Sequence, residues 1–131
     1  MLHYVQHDEG YSEIGYSCFM NSRITRAVKS SRAIKLEIRR GGKPIGRIYL
    51  YVIKNNLHKR SYGLLEDLFV DERMRGQGIG TRLLHAAIIE AKKRKLYKLV
   101  GTSRTQRARL HEFYKKIGFK KYGWEFRMDL D

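Results

Sequence analysis

Three glycines at alternate positions precede a leucine-rich segment in DERMRGQGIGTRLL, residues 71–84. Gly76, Gly78 and Gly80 join a strand-like pattern to a helix-like pattern. The first N–H groups of a helix lack partners within the helix and attract anions. Without side chains, that backbone lets a phosphate approach closely. The pattern indicates a pyrophosphate-binding loop, with a tight strand-to-helix turn as the alternative. Three arginines add positive charge to it: Arg73, Arg75 and Arg82.

Two common nucleotide-binding loops do not fit this segment. A dinucleotide-binding fingerprint needs its third glycine at position 81, where Thr81 stands. A Walker A loop needs a Gly-Lys-Ser/Thr ending, and the segment has no such lysine. The spacing therefore indicates another class of phosphate-containing ligand.

Two carboxylates interrupt the otherwise apolar segment LLEDLFV, residues 64–70. A carboxylate in such a strand is costly unless it is paired or functional. Strict alternation would place Glu66 on the face of Leu68 and Val70, and Asp67 on the other face. Glu66 is therefore the candidate general base and Asp67 the alternative. An ion pair with one of the many arginines is the competing explanation for either carboxylate.

Tyr114 belongs to the apolar face of a helical pattern that ends at Gly118. Packing in the core is the commoner role for such a residue. His111 lies one helical turn from Tyr114 and is expected at the surface, with an effect on the acidity of that tyrosine as the alternative. Cys18 is expected to be a small buried residue. The five histidines have no metal-ligand spacing, so we expect no metal site.

The elements that must position these residues follow from hydrophobic periodicity. At 131 residues the chain is expected to form one domain, residues 1–131. The order of elements indicates an α/β or α+β domain, with a mixed, mostly antiparallel central sheet flanked by helices. In chain order we expect a helix within 11–32, strands at 34–38, 45–53 and 64–70, a helix from the glycines to KKRK, a strand at 96–102, a helix at 110–117 and a strand at 124–130.

Composition limits the cellular setting. Hydrophobic residues make up 42% of the chain, which is typical of a globular protein. A single cysteine excludes an intrachain disulfide framework. We find no signal-peptide pattern and no apolar stretch of membrane-spanning length. These features predict a cytoplasmic protein without a membrane partner.

The charge is strongly basic. Lysine and arginine number 28 against 13 aspartates and glutamates, a formal net charge of +15. Such a charge favours anionic partners, among them nucleotides, nucleic acid and acidic proteins. The predicted N-terminal helix carries a basic stripe of Arg23, Arg26 and Lys29.

The spacing Arg75-x-x-Gly78-x-Gly80 resembles the acyl-CoA-binding loop of the GNAT superfamily of N-acyltransferases. LLEDLFVDERMRGQGIGTRLL is similar to the central strand, loop and helix of that family. LHEFYKKIGF is similar to its later helix, in which a tyrosine precedes a glycine by four residues, as Tyr114 precedes Gly118. The segments LEDLFV and GWEFRMDL are most similar to the polyamine and diamine acetyltransferase branch.

The resemblance covers about residues 45–130 and implies contacts with CoA. In the family, the central strand separates from its neighbour, and its backbone pairs with the pantetheine arm. Arg107 stands where the family commonly has an asparagine that contacts pantetheine, with Gln106 beside it. By resemblance, the pantetheine residues are Leu68, Phe69 and Val70, and the pyrophosphate residues are Arg75, Gly76, Gln77, Gly78, Ile79, Gly80 and Thr81.

The resemblance also implies an activity. Acetyl-CoA would be the cosubstrate, and its acetyl group would pass directly to a primary amine of a small molecule or protein. Glu66 would act as base, the N–H of Val70 would stabilise the thioester carbonyl, and Tyr114 would protonate the leaving thiolate. The net charge disfavours a free polyamine. We expect a monomer or homodimer.

The alternative function keeps the fold and the CoA site but has weak or no catalysis. In that case the basic surface would bind nucleic acid or an acidic protein partner.

Overall fold

A computed structural model of the chain describes residues 22–131. Contacts divide the chain into two units, residues 1–30 and 31–131. In the first unit, residues 22–30 are exposed and have no regular secondary structure. The predicted helix is therefore wrong for this part, because exposed Ile24 and Val28 have no core to pack against. Its remainder, Cys18, His3 and His7 lie outside the described residues, and the single domain stays a prediction.

The second unit is built on a four-stranded sheet. Its strands are β1 (Arg32–Arg40), β2 (Lys43–Ile53), β3 (Tyr62–Val70) and β4 (Leu99–Gly101), in the spatial order β1-β2-β3-β4. β1 and β3 both pair antiparallel with β2, and β4 pairs parallel with β3. The predicted mixed, mostly antiparallel sheet is confirmed.

Two helices accompany the sheet. A short 3₁₀ helix, Glu72–Met74, follows β3 and leads to α1 (Ile79–Lys93), and α2 (Ala108–Ile117) follows β4. The connection from β4 to α2 spans residues 102–107. Within residues 22–131, no helix is long and apolar enough to cross a membrane.

α1 packs closely on β2 because Gly46 has no side chain. A Cβ at Gly46 would lie only 2.8 Å from a methyl carbon of Ile79 and 3.0 Å from one of Leu83. The apolar face of α1 thus reaches the sheet and closes the core. Nine residues form that core: Ile45, Ile48, Leu50, Leu65, Ile79, Leu83, Leu84, Ala87 and Ala91.

The strand predicted at 124–130 is wrong. Residues 119–131 have no regular secondary structure. Trp124 is 74% exposed and Phe126 is 93% exposed. Alternating apolar residues form a strand only where a neighbouring strand accepts the backbone hydrogen bonds, and no described strand pairs with this segment.

Candidate functional site

β3 contains one extra residue opposite β2. Tyr49 pairs with Glu66, whereas Arg47, two residues earlier, pairs with Phe69, three residues later. Asp67 lies at this irregularity, and its φ of 52° is in the left-handed region. A residue inserted in this way is a β-bulge, and it bends the strand and redirects side chains.

The bulge corrects the prediction from alternation. Directly paired residues of antiparallel strands share a face, so Glu66 lies on the face of Tyr49. Val70 pairs with Gly46, whose missing side chain would point at α1, so Val70 lies on the face that α1 covers. Glu66 and Val70 therefore occupy opposite faces, and the predicted shared face is wrong because the bulge interrupts the period of two.

Asp67 is engaged by an ion pair with Arg47. The Arg47 Nε lies 2.7 Å from the Asp67 Oδ2. This hydrogen bond raises the pKa of Arg47, and its guanidinium lies 4.7 Å from the centre of the Phe69 ring. An ion pair with an arginine, the competing explanation for a carboxylate in this apolar strand, is therefore what the structure shows for Asp67. Sequence analysis did not single out Arg47. The feature that could have pointed to it is that Arg47 is the one charged residue in the segment IGRIYLYVI.

β3 separates from β4 directly after the paired residues Leu65 and Gly101. Among residues 22–131, no strand pairs with that edge of β3 from Glu66 to Val70. The Asp71 N–H donates to the Ile45 carbonyl of β2 at 2.8 Å. Because backbone groups of successive residues alternate between the two edges of a strand, the Val70 N–H faces the open edge.

The glycine loop, residues 75–81, leads from this open edge into α1. Gly76 and Gly78 have φ angles of 80° and 78°, in the left-handed region that favours glycine. Gly78 is the N-cap of α1 and makes no side-chain capping bond. The first N–H bonded within the helix is that of Arg82, which donates to the Gly78 carbonyl at 3.0 Å. The N–H groups of positions 79–81 therefore have no partner within α1.

Gly80 is not required by the packing of the protein itself. A Cβ at Gly80 would lie 3.6 Å from a methyl carbon of Val70, an ordinary van der Waals distance. A Cβ at Gly76 or Gly78 would meet nothing within 4 Å, so the space beside the loop is open. The donors and the open space suit a pyrophosphate, so the residues present fit the phosphate part of acetyl-CoA. Arg75, the first residue of the loop, donates its Nε–H to the Val70 carbonyl at 3.2 Å.

Tyr114 lies where β3 and β4 separate. A Cβ at Gly101 would lie 3.4 Å from the Tyr114 hydroxyl oxygen, and Phe119 packs on the tyrosine ring with 5.2 Å between centroids. Burial raises the pKa of Tyr114, and the negative charge of Glu66 raises it further. The structure thus brings Glu66 and Tyr114 within electrostatic range, and the tyrosine keeps its proton at neutral pH.

Arg107 marks the start of α2. It is the N-cap, is exposed, and makes no side-chain capping bond. His111 is half-buried rather than at the surface, and its Nε2 lies 2.9 Å from the Arg104 carbonyl oxygen. His111 therefore ties the preceding loop to the helix. Within residues 22–131, no group of three or more histidine, cysteine, aspartate or glutamate residues is arranged to hold a metal ion.

The chain is similar in sequence to known acetyltransferases. The family model for the GNAT family of acetyltransferases matches residues 4–119. An uncharacterised N-acetyltransferase of Methanocaldococcus jannaschii is 37% identical in an alignment of 86 residues that covers 61% of this chain. The chain spans only 36% of that relative's length.

Two solved structures are similar in fold. Glucosamine-6-phosphate N-acetyltransferase of Arabidopsis thaliana has a TM-score of 0.69 at 22% identity, covering 76% of this chain and 67% of its own. A predicted acetyltransferase of Clostridium acetobutylicum, solved with acetyl-CoA, has a TM-score of 0.63 at 20% identity, covering 75% of this chain and 64% of its own.

Proposed function

Since the chain belongs to the GNAT family of acetyltransferases, we propose that it is an N-acetyltransferase that uses acetyl-CoA to acetylate a primary amine of a small molecule or protein. The observation that carries this proposal is the uncapped N-terminus of α1, which lies beside the edge of β3 that β4 leaves open.

Two parts of the site bind acetyl-CoA in this proposal. The N–H groups of positions 79–81 bind the pyrophosphate, and Arg75 adds charge beside them. The open edge of β3, from Leu68 to Val70, offers backbone groups to the pantetheine arm. Arg107, at the start of α2, is close in sequence to Tyr114 and is assigned to the same arm.

Glu66 removes the proton from the acceptor amine. A lysine-like amine has a pKa near 10.4, so only about one molecule in a few thousand is neutral at pH 7. A base is therefore needed, acting directly or through one water. Glu66 suits this role because it is exposed, whereas Asp67 beside it is held by Arg47.

Val70 and Tyr114 act on the thioester of acetyl-CoA, which supplies the acetyl group. The Val70 N–H, on the open edge of β3, donates to the carbonyl oxygen as negative charge gathers there. As the amine nitrogen forms its bond to the carbonyl carbon and the carbon–sulfur bond breaks, Tyr114 donates its proton to the sulfur. Its raised pKa keeps that proton in place at neutral pH.

A panel of amines assayed with acetyl-CoA tests this function. We expect free CoA thiol to be released with at least one amine, and an equal amount of acetylated amine to form. The panel should include small amines, polyamines and acidic peptides with one lysine. Calorimetric binding of acetyl-CoA without turnover on any amine would favour a non-catalytic CoA-binding module, and absence of binding would contradict the site.

A further inference from the structure

Basic residues are concentrated at one end of the sheet. The β2–β3 loop, residues 54–60, and the end of α1 with the turn after it, residues 92–98, contain eight lysines and arginines and no acidic residue. They hold eight of the 28 lysines and arginines of the whole chain. We call these two segments the basic end.

Backbone hydrogen bonds hold the two segments side by side. The Tyr97 N–H donates to the Ser61 carbonyl at 3.1 Å, and the Gly63 N–H donates to the Lys98 carbonyl at 3.0 Å. The charges of both segments therefore share one surface. Their mutual repulsion destabilises the fold, so an anionic partner that neutralised them would bind favourably.

Few of these charges are neutralised by other residues within the range 22–131. Arg94 pairs with Glu90 at 2.8 Å. Among the ion pairs formed by residues 22–131, none involves another lysine or arginine of the basic end. Lys92, Lys93, Lys95 and Lys98 are all exposed.

Lys95 occupies a backbone position where glycine is favoured. It follows the C-cap of α1 with a φ of 54°, and its N–H donates to the Lys92 carbonyl at 2.9 Å. Residues other than glycine and asparagine are rare in this left-handed helix-ending position. A lysine there is unfavourable for the backbone and forms no ion pair within the described residues, so its charge points to a role outside the fold.

Aromatic rings lie between the basic segments. The rings of His58 and Tyr97 are 4.2 Å apart, and Tyr62 lies 6.3 Å from Tyr97. The Lys98 ammonium lies 5.2 Å from the Tyr62 ring and 5.3 Å from that of Tyr97. His58 is exposed, so one face of this ring cluster is open to solvent. Rings alternating with cations are typical of surfaces that stack unpaired bases and contact phosphates.

The basic end and the glycine loop lie at opposite ends of the same elements. β3 runs from Tyr62 at the basic end to Val70 at the loop, and α1 runs back over 15 residues from Ile79 to Lys93. At 1.5 Å per residue, α1 separates the two regions by about 20 Å. A ligand at one end therefore leaves the other accessible.

We infer that the basic end binds single-stranded nucleic acid, with its lysines and arginines on the phosphates and His58 with Tyr97 under the bases. The combination favours nucleic acid over other polyanions, because an acidic protein or an anionic membrane gains little from an open aromatic stack. The inference goes beyond the proposed acetyl transfer and does not depend on it.

Fluorescence anisotropy with a labelled single-stranded polyuridine oligonucleotide tests the inference. The triple variant K93E/K95E/K98E should lose roughly tenfold or more in affinity, and its log–log salt slope should fall by about 0.7 for each lost phosphate contact. The matched control is R23E/R26E/K29E, which changes the net charge equally in exposed residues outside the basic end. The control should lose much less affinity.

Two single variants separate the contributions of charge and stacking. K95G removes a charge but suits the left-handed backbone, so its melting temperature should not fall while the salt slope decreases by about 0.7. H58A should lower affinity several-fold and leave the salt slope unchanged, because base stacking releases no counterions. All variants should bind acetyl-CoA like the wild type by calorimetry, which keeps this test independent of the proposed activity.

Three results would overturn the inference. Equal losses in the two triple variants would mean that only net charge matters. Unchanged affinity in H58A would contradict the stacking of bases on His58. Tighter binding to an acidic peptide, or to phosphatidylserine vesicles, than to the oligonucleotide at the same salt concentration would assign the basic end to another class of partner.

Discussion

Glu66 and Tyr114 lie where β3 and β4 separate, and the negative charge of Glu66 acts on the tyrosine. The Glu66 carboxylate raises the pKa of Tyr114, in addition to the larger effect of burial. A raised pKa favours the neutral phenol, so Tyr114 holds a proton at neutral pH that it can donate when the thiolate departs beside it. At the scale of residues, this interaction yields two tests.

Tyr114→Phe should lower kcat by roughly 100-fold or more, the range for a positioned acid. KM for acetyl-CoA should change much less, because the proton is needed in the transition state rather than in binding. Steady-state kinetics at saturating amine measures both values. Melting temperature is the control for packing, since only the hydroxyl is removed. Near-full activity at equal stability would make Tyr114 a core residue and leave the fold unaffected.

Glu66→Gln should lower turnover mainly below the pKa of the amine, and the defect should shrink at high pH, where the free amine needs no base. The same substitution should shift the Tyr114 pKa down towards its ordinary value, because the neighbouring negative charge is gone. A pH–rate profile measures the first effect, and NMR of ring-labelled tyrosine measures the second. A defect independent of pH would remove Glu66 from the role of base.

At the scale of elements, we expect the N-terminus of α1 to bind the pyrophosphate of acetyl-CoA only if the glycine loop stays open. Gly78→Val should abolish or strongly weaken acetyl-CoA binding in calorimetry, because its side chain would occupy the space in front of the free N–H groups. Left-handed backbone strain from the new Cβ adds roughly 1–2 kcal/mol to the cost of folding.

Gly42→Val is the matched control for that strain. Gly42 has a φ of 76°, against 78° for Gly78, and a Cβ would meet nothing within 4 Å at either position. It lies in the β1–β2 turn, outside the glycine loop. Similar melting temperatures with a binding defect only in Gly78→Val would support the pyrophosphate assignment, and intact binding in Gly78→Val would contradict it.

The segment after α2 gives a second prediction for an element. The chain has one tryptophan, Trp124, and its side chain is 74% exposed. Its fluorescence should therefore be quenched efficiently by acrylamide, at a rate close to that of free tryptophan in solution. Deleting residues 121–131 should leave the melting temperature nearly unchanged, because none of them belongs to the core. Strong protection of Trp124 from acrylamide would show that the segment packs on a surface.

At the scale of the whole molecule, the net charge of +15 acts on the acceptor before any contact forms. A polycationic amine is repelled, and an amine on an acidic peptide is attracted. Added salt screens both effects. Raising the salt concentration should therefore lower KM for a polyamine and raise KM for a lysine-containing acidic peptide, in initial-rate assays at saturating acetyl-CoA. Opposite trends would indicate a local acidic pocket around the acceptor.

Local patterns in the sequence determined much of this protein. Alternation between apolar and polar residues predicted β1. A segment rich in strand-forming residues, IGRIYLYVI, predicted β2. The stripe from Leu83 to Ala91 predicted α1, since a helix on a sheet needs one apolar face. The glycines predicted a strand-to-helix loop of bare backbone, and Gly76 and Gly78 have positive φ angles there. In each case the physical cause lies within a few neighbouring residues.

Only the tertiary structure decided what depends on distant partners. The bulge at Asp67 arises from pairing with β2 and the ion pair to Arg47, and it reversed the face expected for Val70 relative to Glu66. The strand expected at 124–130 would need a neighbouring strand to pair with, and the alternation of its own residues does not specify one. The nearness of Glu66 and Tyr114 depends on where β4 ends. Local periodicity reports which face a segment would bury, and chain topology decides whether anything lies there to bury it.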